Sequence, residues 1–358
     1  MKKILFAAYS LDVGGIEKAL VTLLNELQKR DYEITLVLEK KEGIFLEELN
    51  SNIQIITYTP NNDKNKLKRK MINFIQQIKF ALKYKNKFDF AASFATYSNS
   101  SAYVSRTASK NSALWGHADY LTLFGNDTEK MKNFFKEKKY NKFRHIIFVS
   151  KEGKDSFVSV FPKMEEKTIV CNNLIDIKKI EELANEKIEL KKEEITTFLN
   201  VGRHDEKQKK LSKIIEAAAK LKEDSYKFKI LFVGDGQDSK RYQEMVKENN
   251  LEDQIIFLGR KQNPYPYFKI SDCVILTSDY EGYPVVFLES MILKKPIITT
   301  KVSDYEDIER KYGYTTTKEV SDIYEKMKLF LENGFEIKET FDAEKYNKDI
   351  IEKIEKIF

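Results

Sequence analysis

Apolar residues along this chain alternate between two rhythms. Short apolar-rich runs at residues 3–9, 33–38, 53–58, 88–94, 113–115, 145–150 and 169–171 read as strands. Between the first two, Ile16, Leu20, Leu23, Leu24 and Leu27 recur three and four residues apart, the spacing of a helix with one apolar face. A long basic helical stretch covers residues 67–84. The second half repeats the scheme, with strands at 197–201, 228–233, 254–258, 273–277 and 296–300. Leu211, Ile214, Ile215, Ala218 and Leu221 mark a helix after the first of these. Strands alternating with helices predict parallel sheets covered on both faces.

A highly charged stretch at 177–195 separates the halves and reads as a linker with a short helix. The predicted organisation is an N-terminal Rossmann-like domain at 1–175, a C-terminal one at 176–340 and a terminal helix at 341–358. That helix carries Ala343, Tyr346, Ile350, Ile354 and Ile357 at helical spacing and must dock an apolar face, with the N-terminal domain as the expected surface. The length of 358 residues agrees with two domains at about 150 residues each. That length can support substantial cores, and with 42% of residues hydrophobic and 33% charged the chain has a globular balance.

Composition removes several classes of function. Cys171 and Cys273 lie inside apolar runs, and no His and Cys cluster has zinc spacing, so the expected state is two buried free thiols in a reducing compartment. The apolar run at 4–8 is too short for a secretory leader or a membrane span, and a cytoplasmic location is expected. The net charge of +6 hides an asymmetry. Residues 1–180 hold 31 Lys and Arg against 20 Asp and Glu, and residues 181–358 hold 31 against 36. The two halves should therefore meet different partners.

Candidate chemistry lies where strands end. Gly14-Gly15 falls between the first strand and its helix, where glycine admits either an anion or a tight turn. Gly234-Asp235-Gly236 follows another strand, and neither run completes a dinucleotide fingerprint, which argues against a nicotinamide or flavin dehydrogenase. The segment from Ser278 to Met291 is the most informative. Pro284 suits the first turn of a helix, which places Glu281 in the loop and Glu289 on the helix. The helix start can offer free N–H groups to a diphosphate, and a carboxylate can accept from the hydroxyls of a ribose or hexose. The plain alternative is two solvated glutamates. Arg203 and Lys209 follow the strand at 197–201, where cations can neutralise a leaving diphosphate, or else belong to a solvated lysine-rich loop. His117 follows Gly116 at a strand end and is either structural or catalytic.

Together these residues resemble the retaining glycosyltransferases of the GT-B fold, family 4. Glu281 and Glu289 stand at that family's seven-residue gap, between Asp272-Cys-Val-Ile-Leu-Thr-Ser and Ser290-Met-Ile-Leu-Lys-Lys-Pro. Val201-Gly202-Arg203, Val233-Gly-Asp-Gly236, Phe257-Leu-Gly259, Phe148-Val-Ser150, Val170-Cys-Asn-Asn173 and Gly14-Gly15-Ile-Glu17 also match. The likeness spans nearly the whole chain. One residue more than usual separates Arg203 from the aligned lysine, so Lys209 and Lys210 compete for one role. The segment from Lys301 to Asp307 stands where the family is glycine-rich.

The resemblance implies two Rossmann-like domains facing each other across a cleft. It implies transfer of a hexosyl group from a nucleoside diphosphate sugar, UDP by preference, with retention of configuration. Glu289 would bind the ribose, Glu281 the donor sugar, and Arg203 and Lys209 the diphosphate. Gly282, Tyr283, Pro284 and Val285 would line the donor, His117 would face the transferred sugar, and Gly15 would let the front loop close. No Asp-x-Asp occurs, so the expected reaction uses no metal and no cofactor beyond the donor. Rival readings are sugar-nucleotide epimerisation and a catalytically silent partner subunit.

Two basic amphipathic segments bear on the acceptor. Residues 62–87 hold nine Lys and Arg with one Asp, interleaved with Leu67, Met71, Ile72, Phe74, Ile75, Ile78, Phe80 and Leu82. Residues 128–145 hold seven, with Phe134, Phe135 and Phe143. Both suit an anionic membrane surface presenting a lipid-linked glycan precursor, or else a core-packed helix with a solvated basic face. No nucleic-acid motif accompanies the charge.

Overall fold

The computed structural model describes residues 1–12 and 14–358, and the chain divides into two compact units. The front unit comprises Met1–Leu174 and Tyr346–Phe358, and the back unit Ile175–Lys345.

The front sheet has seven strands: β1 (Lys2–Ala8), β2 (Tyr32–Leu38), β3 (Gln54–Thr57), β4 (Phe90–Ser93), β5 (Ser112–Gly116), β6 (His145–Phe148) and β7 (Thr168–Val170). Their order is β3-β2-β1-β4-β5-β6-β7, and every pairing is parallel. The central strands are apolar on both sides because helices cover both faces. Ile4, Leu5, Phe6 and Ala7 of β1 are wholly buried. The helix Gly15–Gln28 turns Leu20, Leu23, Leu24 and Leu27 inward, as their spacing predicts.

The terminal helix Ala343–Glu355 buries Ile350, Ile351 and Ile354. The chain beyond it closes over the beginnings of the front strands. The Phe358 ring meets Tyr32 at 5.4 Å and Phe90 at 4.7 Å, and the Ile357 carbonyl accepts from Asn111 Nδ2 at 2.7 Å. Arg30 and Tyr32 both reach Glu355.

The back sheet has six parallel strands: β8 (Thr197–Val201), β9 (Lys229–Val233), β10 (Ile255–Gly259), β11 (Cys273–Leu276), β12 (Ile297–Thr300) and β13 (Gly313–Thr316). The order is β10-β9-β8-β11-β12-β13. The chain reverses direction across this sheet between β8 and β11, the switch point where open α/β sheets bind ligands at the strands' carboxyl ends. Strand β13 has no counterpart among the predicted elements. Its sequence, Gly-Tyr-Thr-Thr, has no apolar run because it is an edge strand. Glycine is required at its start: a Cβ on Gly313 would stand 1.8 Å from the Ile297 carbonyl oxygen.

The two basic segments have opposite fates. In residues 128–145, Phe135 and Phe143 are buried and Phe134 packs on Tyr120 and Phe124. This corrects the membrane-facing expectation for that segment, whose aromatic side is spent on the core. The helix Lys66–Tyr84 buries only Phe80.

Candidate active site

Two loops at the back-unit switch point are stitched together. The loop after β8 runs from Gly202 to Lys210, and the loop after β11 from Thr277 to Pro284. Thr277 Oγ1 donates to the Lys210 carbonyl at 2.9 Å, and the Asp279 N–H donates to the Gln208 carbonyl at 2.8 Å. A third loop, after β9, lies against the first. Gly234 sits at φ 148°, and a Cβ there would stand 1.8 Å from the Gly202 carbonyl oxygen, so only glycine permits the approach.

Glu281 is 6% exposed and Glu289 likewise. Neither is the solvated glutamate of the plain reading. Glu281 Oε1 receives Lys209 Nζ at 2.5 Å and Ser278 Oγ at 2.6 Å, and Oε2 receives Gln208 Nε2 at 3.2 Å. Gln208 Oε1 in turn accepts from Arg203 Nη2 at 3.1 Å. Arg203, Gln208, Glu281 and Lys209 thus form one connected polar chain. The Arg203 side chain remains 65% exposed, with Asp205 at 3.6 Å.

Lys210 takes the left-handed backbone conformation, φ 52° and ψ 45°, and caps the helix Leu211–Glu223. Its Nζ lies 3.7 Å from Asp279 and 3.9 Å from Glu206. The geometry separates the competing lysines: Lys209 stands on Glu281, and Lys210 stands with a different pair of carboxylates.

Glu289 lies on the helix Val285–Ile292, where Oε1 accepts from Tyr265 at 3.0 Å. Pro284 is the cap of this helix, one position earlier than the first turn. Gly282, Tyr283 and Pro284 are buried, and Val285 is half-buried. The segment at 301–307 braces this loop: Ser303 donates to the Gly282 carbonyl, and Tyr283 donates to Asp307 at 3.1 Å. Burial raises the Asp307 pKa against the bond from Tyr283. The family's glycines are absent there, and side-chain contacts hold the loop instead.

Two of the sequence-predicted residues belong to the front unit. Gly15 opens the helix after β1, with nothing within 4 Å of where a Cβ would stand. His117 follows β5. Its Nε2 donates to the Phe94 carbonyl at 2.9 Å, and its ring lies 4.5 Å from the Phe94 ring. Nδ1 is buried and meets no partner among the described residues. Burial pulls the His117 pKa down to about 4. At neutral pH the ring is uncharged and offers one lone pair as an acceptor.

Gln208, Ser278 and Tyr265 escaped the sequence reading. Ser278 had a usable signal, since it lies three residues before Glu281 in the same loop. Gln208 is hidden in a lysine-rich run, and Tyr265 is brought to Glu289 only by the tertiary fold.

Two parallel-sheet Rossmann-like units, the back one carrying buried carboxylates and cations at its switch point, define the class. A family model described as Glycosyltransferase Family 4 matches residues 13–179, and one described as Glycosyl transferases group 1 matches residues 181–355. Between them they take in nearly the whole chain, which belongs to the glycosyltransferases of the GT-B fold.

An uncharacterized glycosyltransferase of Methanocaldococcus jannaschii is 31% identical over 168 residues, 46% of this chain and 41% of that protein. This chain therefore spans less than half of the archaeal relative. The Campylobacter jejuni N-acetylgalactosamine-N,N'-diacetylbacillosaminyl-diphospho-undecaprenol 4-alpha-N-acetylgalactosaminyltransferase is 28% identical over 309 residues, 84% of this chain and 81% of that one. The crystal structure of Anabaena HepE in complex with UDP is similar with a TM-score of 0.78 at 18% identity, covering 99% and 100% of the two chains. At that identity the likeness speaks for the fold.

Proposed function

We propose that this chain transfers a hexosyl group from a UDP-sugar to a hydroxyl of a lipid-linked or cell-surface glycan precursor, with retention and without a metal ion. The observation that carries the reading is the Lys209–Glu281 pair, 2.5 Å apart at the carboxyl ends of β8 and β11. A nucleoside diphosphate sugar sets an anion beside a ring of hydroxyls. A cation beside a carboxylate matches that pattern, one group for each part of the donor. Arg203, Lys209 and the N–H groups at the start of the helix Val285–Ile292 would draw off the charge that builds on the departing diphosphate. Glu281 would accept from the donor sugar, Glu289 from the ribose, and His117 Nδ1 from a hydroxyl of the transferred sugar. Gly15 would let the front loop close over the phosphates.

The lipid-linked acceptor is supported by the Campylobacter relative, whose name specifies a diphospho-undecaprenol substrate, and UDP by the HepE complex. Metal independence rests on the missing Asp-x-Asp. The test is purified protein with a panel of UDP-sugars and a diphospho-undecaprenol-linked saccharide. Product mass identifies the transferred sugar, and proton NMR of the new anomeric centre reads the stereochemistry. An inverted product refutes retention. Absence of donor turnover together with absence of UDP binding refutes the enzyme.

A further inference from the structure

The helix Lys66–Tyr84 is built inside out. Of the eleven large hydrophobic residues exposed among those described, six lie on it: Leu67, Met71, Phe74, Ile75, Ile78 and Leu82. Leu67 and Leu82 are 80% and 81% exposed and Phe74 is 62% exposed. At 100° per residue the six fall within one stripe about 100° wide along the helix.

The opposite side is held to the unit by polar groups. Asn73 accepts from the Asn61 N–H at 2.7 Å and donates to the Asn61 carbonyl at 3.2 Å, and the Gln77 carbonyl accepts from Tyr103 at 2.8 Å. Phe80 supplies the buried apolar contact, against Tyr58, Tyr84 and Tyr103. These bonds set the rotation of the helix about its axis, so the stripe cannot turn inward. An apolar stripe held outward in this way marks an interaction surface.

Its rim identifies the occupant. Lys66 and Lys70 flank the stripe on one side and Lys68, Lys79 and Lys83 on the other; the helix contains no Asp or Glu, and of these five lysines Lys68 pairs with an acid just before it, Asp63 at 2.9 Å. We propose that this helix lies flat in the headgroup region of an anionic lipid surface. The six apolar side chains reach the acyl boundary, and the flanking lysines extend to the headgroups. A second copy of the chain fits poorly, because it would set one basic rim against another. The helix lies on the surface and does not cross it: no helix among the described residues is long and apolar enough to span a membrane. The inference stands apart from the transferase reading, since lipid binding and donor turnover are separate measurements.

The test is flotation at ~0.15 M salt with phosphatidylcholine vesicles, with and without phosphatidylglycerol. The protein should float with the anionic vesicles only. Combined Lys66→Gln, Lys70→Gln and Lys79→Gln should weaken partition by about 100-fold, at about 1 kcal/mol per cation. Combined Leu67→Gln, Phe74→Gln and Leu82→Gln should abolish it while leaving thermal unfolding and donor turnover unchanged, because these side chains already face solvent. Equal flotation with neutral vesicles overturns the proposal, as does failure to float with either. A dimer detected by light scattering and dissolved by the three apolar substitutions would assign the surface to a second copy and also overturn it.

Discussion

Glu281 is a carboxylate enclosed by protein and paired with Lys209. Removing one partner of a buried pair leaves the other charge uncompensated, at a cost of about 3–5 kcal/mol. Lys209→Met should therefore lower stability by roughly 3 kcal/mol and turnover by about 100-fold or more. Lys210→Gly should spare both, because glycine takes the left-handed conformation of that position without strain. Melting curves and turnover of the two variants settle the assignment; equal damage from both would refute it. Glu289→Ala should weaken UDP binding by about 1–3 kcal/mol, measured by calorimetry on the folded variant. The placement of Glu281 in a loop and Glu289 on a helix was legible in the sequence, because a strand, a loop and a helix start fix their spacing. The bonds from Gln208 and Tyr265 were not, since each joins segments that only the folded sheet brings together.

His117 carries a second expectation at this scale. Its folded pKa of about 4 lies below that of an unfolded histidine, about 6.5. Above pH 6.5 both states are neutral, and this residue gives stability no pH dependence. Between pH 6.5 and 4 the unfolded chain binds a proton that the folded one refuses, so stability falls as pH falls, by up to about 3 kcal/mol. His117→Asn should flatten that part of the slope in unfolding measured across the window. An unchanged slope would show that other groups carry it.

Among the elements, the strands announce themselves most clearly, because a central parallel strand has no polar side to dilute its apolar run. The edge strand β13 is the exception, and its two threonines show why. The basic segments teach the limit of periodicity. Both alternate lysines with large apolar residues, but spacing alone does not say which side a helix turns inward. In one, Phe135 and Phe143 complete a core; in the other, asparagine and tyrosine contacts hold the apolar side outward. The terminal helix invites its own test. Ile354→Ala should cost the front unit about 2–5 kcal/mol, as expected for truncation in a packed core. The proposed contacts to UDP from Arg203, Lys209 and Glu289 all lie in the back unit, so UDP affinity should stay unchanged in the same variant.

At the level of the whole molecule, each unit has its own sheet and its own buried cluster, so each can unfold in its own transition. Scanning calorimetry should resolve two. UDP at ~100 times its dissociation constant should raise one of them by about 2.7 kcal/mol and leave the other in place. A single transition, or an equal shift of both, would contradict separate units.

The division of the chain also bears on its birth. Domains generally fold as units while the chain is still emerging from the ribosome, first part first. Here the front unit is written in two instalments, and the whole back unit is made between them. The seat for Ile350, Ile351, Ile354 and Phe358 therefore stays open throughout synthesis of residues 175–345. The part translated first is the part finished last, and the nascent front sheet waits with an apolar flank still bare.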